Sequence, residues 1–375
     1  MRVLYINDTH NVPGGAEAIL LYLIPAVQHA GIEVFVACIP GSEVETKFKD
    51  GGITTLPVSE LRKNPLLAIR RIVHICREHS IDLIHTGSLF GNFSGRLAGR
   101  KVGVPVITTV HCEPDAFLLT KSSFFRRLNW RLRQAVDRMT VGYASALIAV
   151  SKGVADKLIA QGIPAGKVTV VVNGIDVSRI QAQAALVTDT KSSSVEQQIG
   201  VVARLEAVKG IQYLIEAVSL LAPELPDLKL VIIGAGSLKN ELVAQSRDLG
   251  IEERVTFLGY LENPMPQVAK LTLFVLPSLS EGLNVILLEA MAIERPVVAT
   301  GVGGNSEVIQ DRKTGLLVPP RDAAALAIAI KELLSKPELA AKLGKAGARL
   351  VEERFSESVM CESVINMYKK LGHHD

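Results

Sequence analysis

The sequence lacks the features that mark several large classes of protein. No apolar run approaches the roughly 18–20 residues that a helix needs to span a bilayer, so no membrane-spanning helix is expected. The 4 cysteines are far apart and form no Cys-x-x-Cys pair, so neither a disulfide framework nor a zinc site is expected. Because the chain also contains no Asp-x-Asp, we expect no metal site of that type, and phosphate charge would be met by Arg, Lys and backbone dipoles.

The chain begins with MRVLYINDTHN, which resembles a strand and turn and lacks the charged and apolar regions of a signal sequence. We therefore expect a cytoplasmic protein. With 375 residues, 48% of them hydrophobic, the chain is long enough for two folded domains.

Short apolar runs alternate with amphipathic stretches, a pattern typical of α/β domains with parallel sheets. The predicted strands of the first half are residues 2–7, 33–39, 82–86, 104–111, 145–151 and 168–174. Those of the second half are residues 198–204, 228–234, 254–259, 271–278, 295–300 and 315–320. The small, polar residues 181–197 predict a loop or linker after the first domain. We therefore predict two doubly wound domains, residues 1–180 and residues 181–354, with this linker at the start of the second. Ligands of such folds bind beyond the carboxyl ends of the strands, where two facing domains would share a cleft.

Charge is distributed unevenly along the chain. Residues 1–172 carry 20 Lys and Arg against 13 Asp and Glu, whereas residues 173–375 carry 21 against 25. The excess in the first half indicates an anionic partner, such as a phosphorylated substrate or an acidic membrane surface. A chance imbalance on a solvated surface is the alternative.

Two segments are candidates for binding phosphate. Gly14 and Gly15 follow the first strand and open a helix, where bare N–H groups at a positive helix end could hold an anion. Arg204 and Lys209 follow another strand and could contact phosphate oxygens as a fork and as a point charge. The alternatives are an ordinary strand-to-helix turn and two solvated cations.

Two familiar nucleotide motifs fail on inspection. GAGSLK, residues 234–239, has a lysine where a dinucleotide-binding fingerprint needs its third glycine. GIPAGKV, residues 162–168, is too short for a P-loop and lacks its Ser or Thr. A dehydrogenase and a P-loop kinase therefore lose support.

His111 ends a buried-looking strand, where a role in a site is favoured over a structural one. His10, His85 and Cys112 are further candidates to line the same cleft. Residues 121–138 combine six cations, one acid and three aromatic residues, a composition that suits an anionic membrane surface. An ordinary helix with a basic face is the alternative, and nucleic acid is disfavoured because the rest of the chain is not basic.

Glu281 and Glu289 lie eight residues apart in the apolar segment SEGLNVILLEAMA, residues 280–292. A buried carboxylate is costly unless something binds it, and we predict that a bound ligand alone offsets this cost. On one helix the two would be about 12 Å apart, whereas the acid and base of a glycoside hydrolase lie about 5–9.5 Å apart. The spacing therefore disfavours a hydrolase.

Together these motifs resemble the retaining family 4, group 1 glycosyltransferases. The resemblance rests on PGGAE (13–17), AVSKGVADKL (149–158), VVNGID (171–176), VARLEAVKG (202–210), LVIIGAGS (230–237), VTFLGY (255–260) and LPSLSEGLNVILLEAMAIERPVVATGVGGNSEVI (276–309). It implies the α/β GT-B fold, in which two Rossmann-like, doubly wound domains face each other across a cleft. It also implies that a C-terminal helix, within residues 355–375, packs back on the first domain.

The resemblance implies roles for individual residues. Arg204 and Lys209 would bind the donor diphosphate, Glu281 the transferred sugar, and His111 the outer hydroxyls of that sugar; these four are the predicted catalytic residues. The predicted donor-binding residues are Gly14 and Gly15 at the diphosphate, Tyr260 and Leu261 at the nucleobase, Leu283, Asn284 and Val285 beside the phosphate and sugar, and Glu289 at the ribose.

The resemblance further implies transfer of a hexose or N-acetylhexosamine from a nucleotide-sugar, a UDP-sugar rather than a GDP-sugar, without metal or other cofactor. The basic, aromatic segment 121–138 and the basic first domain favour a lipid-linked or envelope-glycan acceptor at the inner face of the plasma membrane, and a small soluble acceptor is the alternative. A nucleotide-sugar epimerase of the same fold and a non-catalytic sugar-binding protein are the alternatives. An epimerase would convert the donor without any acceptor, and a binding protein would not turn it over.

Overall fold

The computed structural model describes residues 1–9, 15–111, 135–186 and 197–372, with no account of the side chains of residues 15–18. The described residues divide into two compact units. The first contains residues 1–9, 15–111, 135–174 and 357–372, and the second contains residues 175–186 and 197–356.

The first unit is built on a parallel sheet of seven strands. The strands are β1 (Arg2–Ile6), β2 (Glu33–Cys38), β3 (Thr54–Pro57), β4 (Leu83–Thr86), β5 (Val106–Val110), β6 (Ala146–Ala149) and β7 (Val168–Val170). Their order across the sheet is β3-β2-β1-β4-β5-β6-β7. Val3 of the central strand β1 pairs with Val34 on one side and Leu83 on the other.

The helices of this unit are α1 (Gly15–His29), α2 (Glu43–Asp50), α3 (Pro65–Glu78), α4 (Leu89–Val102), α5 (Lys152–Ala160) and the C-terminal helix Glu357–Gly372, and residues 135–141 are helical as well. Helix α3 shows why such segments fold in this way. Asn64 caps it by accepting a hydrogen bond from Leu67 N at 3.2 Å, and Pro65 occupies its first position. Its apolar residues recur at helical spacing, and Ala68, Ile69, Ile72, Val73, Ile75 and Cys76 are buried.

The second unit is built on a parallel sheet of six strands. They are β8 (Gln198–Val202), β9 (Lys229–Ile233), β10 (Val255–Gly259), β11 (Leu273–Leu276), β12 (Val297–Thr300) and β13 (Leu316–Val318), in the order β10-β9-β8-β11-β12-β13. The helices are α6 (Val177–Ala184), α7 (Ile211–Leu221), α8 (Lys239–Asp248), α9 (Met265–Val268), α10 (Val285–Ala292), α11 (Asn305–Val308), α12 (Ala323–Ser335) and α13 (Pro337–Arg354).

Both sheets are doubly wound, because each extends in both directions from its first strand. The predicted α/β class is therefore confirmed. Strand β3, an edge strand of four residues that ends in proline and pairs with β2, was not among the predicted strands. Such a short strand carries almost no alternation of apolar and polar residues. Its proline has no N–H to donate, which is tolerated because β3 lies at the edge of the sheet.

Candidate functional site

The loop that follows β8 carries two of the predicted phosphate ligands. Arg204 is exposed in this loop and Lys209 is partly buried. The loop is held against the turn after β9, since Leu205 N donates to Ala235 O at 2.9 Å. A Cβ atom on Gly234, whose φ is +141°, would lie 1.9 Å from Ala203 O. Gly234, the first glycine of GAGSLK, thus permits a close contact between two loops, although this segment is not a dinucleotide-binding motif.

Lys209 and Glu281 form an ion pair at the carboxyl edge of the second sheet. Lys209 Nζ donates to Glu281 Oε1 at 2.7 Å, and Glu281 is 8% exposed. Ser278 Oγ and Asn284 Nδ2 donate to the same oxygen at 2.6 and 2.9 Å. Charge-assisted hydrogen bonds of this kind compensate the loss of water around a carboxylate. The prediction that a ligand alone offsets the burial of Glu281 is therefore wrong, because the protein supplies three donors.

Ser278 follows the carboxyl end of β11, is fully buried, and was not predicted as a site residue. Its carbonyl oxygen accepts from Thr300 Oγ1 at 2.5 Å, and Thr300 O accepts from Asn305 Nδ2 at 3.1 Å. A chain of polar contacts thus connects the ends of β11 and β12 to Glu281. In the sequence, only its position three residues before Glu281 could have indicated this role.

The turn before α11 packs directly on the loop that holds Glu281. A Cβ atom on Gly304 would lie 2.1 Å from Gly282 O and 2.9 Å from Leu283 Cα. The second glycine of the Gly303-Gly304 pair is therefore required by the close approach of two backbones.

Asn284 has two functions at the start of α10. Its Oδ1 accepts a hydrogen bond from Ile286 N at 3.1 Å and caps the helix, while its Nδ2 donates to Glu281. Because the amide serves both partners, it fixes Glu281 relative to the helix N-terminus. The neighbouring Leu283 and Val285 are both buried.

Glu289 is the fifth residue of α10 and lies in a different environment from Glu281. Burial raises the pKa of its carboxyl from the usual 4.5 to about 7, and the positive charge of Arg179 opposes that increase. Arg179 lies on α6 and was not predicted to act on Glu289. The two carboxyl groups are thus distinguished by their surroundings: donors bind the first, and loss of water shifts the second.

Tyr260 and Leu261 directly follow β10, next to the loop that ends β9. Gly234 N donates to Gly259 O at 2.7 Å and joins these two loops. Tyr260 is 52% exposed. In the second unit, Lys209 and Asn284 therefore both contact Glu281. Tyr260 and Leu261 lie at the same edge of the sheet, after β10, which is two strands away from β8.

In the first unit, His111 follows β5 and lines a pocket at the carboxyl edge of that sheet. The pocket encloses about 610 Å³, with its open mouth included. Its lining combines apolar residues of α1, β6 and the C-terminal helix with polar residues at the strand ends, among them Asn7, His85, Ser88, Thr109 and Asn173.

A buried polar chain forms one side of this pocket. His85 is hydrogen-bonded through Nδ1 to the Tyr368 hydroxyl at 2.5 Å and through Nε2 to Thr109 Oγ1 at 2.7 Å, and Tyr368 is also hydrogen-bonded to Tyr5. Burial, with a contribution from His111, lowers the pKa of His85 to about 3. His85 is therefore neutral at physiological pH and connects the C-terminal helix to β4 and β5.

The other predicted residues of the first unit are only partly covered. Gly15 begins α1, whereas Gly14, His10, Cys112 and residues 121–134 lie outside the described residues. Among the helices that the structure describes, none combines the length and apolar character that crossing a bilayer requires.

Comparisons with known proteins give this arrangement a family. Residues 13–179 match the family described as Glycosyltransferase Family 4, and residues 187–350 match Glycosyl transferases group 1. The chain is 30% identical over 299 residues to 2-deoxystreptamine glucosyltransferase of Streptomyces kanamyceticus, with 77% of each chain covered. It is also 30% identical over 317 residues to alpha-maltose-1-phosphate synthase of Mycolicibacterium smegmatis, with 77% of this chain and 79% of that one covered.

A solved structure gives the fold class. HepE of Anabaena, in complex with UDP-glucose, matches with a TM-score of 0.82 and 22% identity over 99% of this chain and 100% of that chain. The fold is therefore GT-B. The chain belongs to the family 4, group 1 glycosyltransferases, which confirms the resemblance seen in its motifs.

Proposed function

We propose that the protein is a retaining glycosyltransferase that moves a hexose or N-acetylhexosamine from a UDP-sugar to an acceptor hydroxyl. The observation that carries this proposal is the contact of Lys209, Ser278 and Asn284 with Glu281 at the carboxyl edge of the second sheet. That edge is where doubly wound domains bind nucleotides.

In this reaction the protein must above all stabilise the negative charge of the departing nucleoside diphosphate. Arg204 and Lys209 lie five residues apart in one loop and supply two positive charges at the same edge. Preorganised cations stabilise charge that develops in the transition state. Their position supports transfer in which these side chains, without a metal ion, bind the diphosphate.

Glu281 is oriented for a second contact. Among the described residues, its three donors all contact Oε1. Its other oxygen, Oε2, then accepts a hydrogen bond from a hydroxyl of the transferred sugar, while Oε1 stays bound to the protein. This arrangement supports the role in sugar binding that the resemblance assigns to Glu281.

Glu289 suits the ribose because its carboxylate gains donors when the nucleotide binds. Burial disfavours its charged form in the free enzyme. Two ribose hydroxyl groups would stabilise the charged form and thereby contribute to affinity for the donor. The same ligand would place its base near Tyr260, which follows β10.

Features of the first unit support our proposal for the acceptor and the site of action. Its positive charge and the basic, aromatic segment 121–138 support a lipid-linked or envelope-glycan acceptor at the inner face of the plasma membrane. His111 and its pocket lie at the carboxyl edge of this unit's sheet, where they are available to contact an acceptor. The HepE complex with UDP-glucose supports a UDP-sugar as the donor.

Donor binding is tested first, with a thermal-shift panel of UDP-, GDP- and ADP-sugars. A ligand at 100 times its Kd stabilises the native state by about 2.7 kcal/mol, so a UDP-sugar should raise the melting temperature by several degrees. A matched panel on Glu289→Gln should show a smaller increase. A response to a GDP- or ADP-sugar alone would contradict the choice of base.

Transfer is tested with the best donor, with and without EDTA, and the anomeric configuration of the product is read by proton NMR. We expect retention and full activity in EDTA. Inversion would contradict the retaining assignment, and loss of activity that Mg²⁺ restores would contradict metal independence. Conversion of the donor without any acceptor would indicate an epimerase.

A further inference from the structure

Two leucines at the start of α3 are exposed, although the other apolar residues of this helix from Ala68 to Cys76 are buried. Leu66 is 72% exposed and Leu67 is 45% exposed. Single exposed apolar residues are common on soluble proteins, but two adjacent ones form a patch that needs an explanation.

Four exposed cations surround these leucines. Arg62 and Lys63 precede the helix, and Arg70 and Arg71 lie one turn further along it. Residues 61–71 contain these four cations and no acid, with Glu60 as the nearest acidic residue before them. At the far end of the helix, the acidic Glu78 is paired with His74 at 3.2 Å.

The spacing places the charges beside the leucines. Leu66 and Arg70, like Leu67 and Arg71, are four residues apart and are therefore neighbours on the helix surface. The Arg62 guanidinium stacks over the ring of Phe90 at 5.6 Å. We call the set of Leu66, Leu67, Arg62, Lys63, Arg70 and Arg71 the α3 patch.

The α3 patch lies at the carboxyl edge of the first sheet. Phe90, which Arg62 contacts, is in the first turn of α4, directly after β4. Phe90 N also donates to Asp8 Oδ2 at 2.8 Å, and Asp8 follows the carboxyl end of β1. The patch therefore shares a sheet edge with His111 and its pocket.

We propose that the α3 patch is a contact surface for a bilayer of anionic phospholipid. Leu66 and Leu67 insert at the boundary between headgroups and acyl chains, and the four cations contact lipid phosphates and acidic headgroups. Their long side chains can keep the charge at headgroup level while their methylene groups cover apolar surface. This inference deepens the proposed function, because a lipid-linked acceptor would be met at the same edge.

Charge complementarity and composition favour a bilayer over other partners. A nucleic acid would also be attracted by the cations, but single-stranded nucleic acid is bound largely by stacking on aromatic side chains. The exposed centre of the α3 patch is aliphatic instead. The patch shares no residue with segment 121–138, so the two can be altered independently.

The test is co-sedimentation of the full chain with vesicles of phosphatidylcholine, with or without 30% phosphatidylglycerol, in the absence of donor and acceptor. Wild-type protein should pellet with the anionic vesicles only. Leu66→Ser with Leu67→Ser should weaken binding at least tenfold at low and high salt. Arg70→Gln with Arg71→Gln should weaken it about 25-fold at low salt, at about fivefold for each cation, and much less at 0.5 M salt.

Matched controls come from the second unit. Ile328 is an exposed apolar residue, at 69%, and Lys342 and Lys345 are exposed cations. Ile328→Ser and the double variant Lys342→Gln with Lys345→Gln should bind vesicles as the wild type does. Circular dichroism and thermal unfolding should show that all variants are folded.

Three outcomes would overturn the inference. Wild-type protein could fail to pellet with either vesicle, or the α3 variants could bind as tightly as the wild type. Alternatively, the protein could dimerise through the patch, with the Leu66→Ser and Leu67→Ser variant becoming monomeric in light scattering. Because donor binding is measured separately by thermal shift, without lipid or acceptor, each of these results leaves the proposed donor site unaffected.

Discussion

Replacing Lys209 by methionine tests the ion pair at the candidate donor site. The change keeps most of the side-chain volume and removes the charge that contacts Glu281 at 2.7 Å. Breaking a buried pair costs about 3–5 kcal/mol because the remaining charge is left without its partner. Ser278 and Asn284 still donate to Glu281, so we expect a loss near the lower limit, about 3 kcal/mol in the free energy of unfolding.

A double variant separates the pair from the rest of the side chain. Adding Glu281→Gln to Lys209→Met removes the unpaired charge, and the amide can still accept hydrogen bonds at Oε1. We therefore expect most of the lost stability to return, as in a double-mutant cycle with a large coupling energy. The measurement is urea unfolding of each single variant and the double variant, monitored by circular dichroism.

Activity should not follow stability in this cycle. Lys209→Met should reduce turnover about 100- to 1,000-fold, as expected for loss of a preorganised electrostatic contact. The double variant should be at least as inactive, since it lacks both the cation and the carboxylate. Wild-type stability in Lys209→Met would show that the pair contributes no net stability, and near-normal turnover would refute the assignment of Lys209 to the donor phosphates.

Three further predictions concern the same unit. Burial raises the pKa of Glu289 from 4.5 to about 7, so the native state retains a proton that the unfolded chain releases. The free energy of unfolding should therefore fall as pH rises from 4.5 to 7, and urea titrations of Glu289→Gln should lack that slope; an unchanged slope would contradict the shift. Gly304→Ala should destabilise the protein by about 1–3 kcal/mol and weaken donor binding in calorimetry, because the new methyl group would clash with Gly282 O, while Gly166→Ala, which has open space, should be neutral. Ser278→Ala removes one of the three donors that orient Glu281 and should lower kcat more than it changes KM, with partial rescue by Ser278→Thr; wild-type kinetics in the alanine variant would rule out this positioning role.

Much of the candidate site could be predicted from local patterns. The alternation of apolar runs and amphipathic stretches predicted the doubly wound α/β class, and motifs placed Arg204, Lys209 and Glu281 near strand ends. These predictions succeed because parallel strands bring residues at their carboxyl ends to one edge of a sheet. The edge strand β3 escaped prediction because its four residues carry too little pattern.

Other features could not be predicted from local patterns. Ser278 donates a hydrogen bond to Glu281, 3 positions away, and the charge of Arg179 acts on Glu289, 110 positions away. The hydrogen bond depends on how β11 ends, and the charge interaction on how α6 packs beside α10. Gly304 likewise depends on the backbone of Gly282, which it meets only after folding.

By itself the sequence determined the fold class, the family and the residue types available for binding a nucleotide-sugar, because periodicity and motif spacing are local properties. The tertiary structure alone decided that Lys209 and Glu281 are partners 72 residues apart in the chain, and that Glu281 is held by one oxygen. It also decided that two leucines of α3 face solvent beside four cations. Burial and pairing of charges depend on which elements meet in space, and that information is not contained in any one segment.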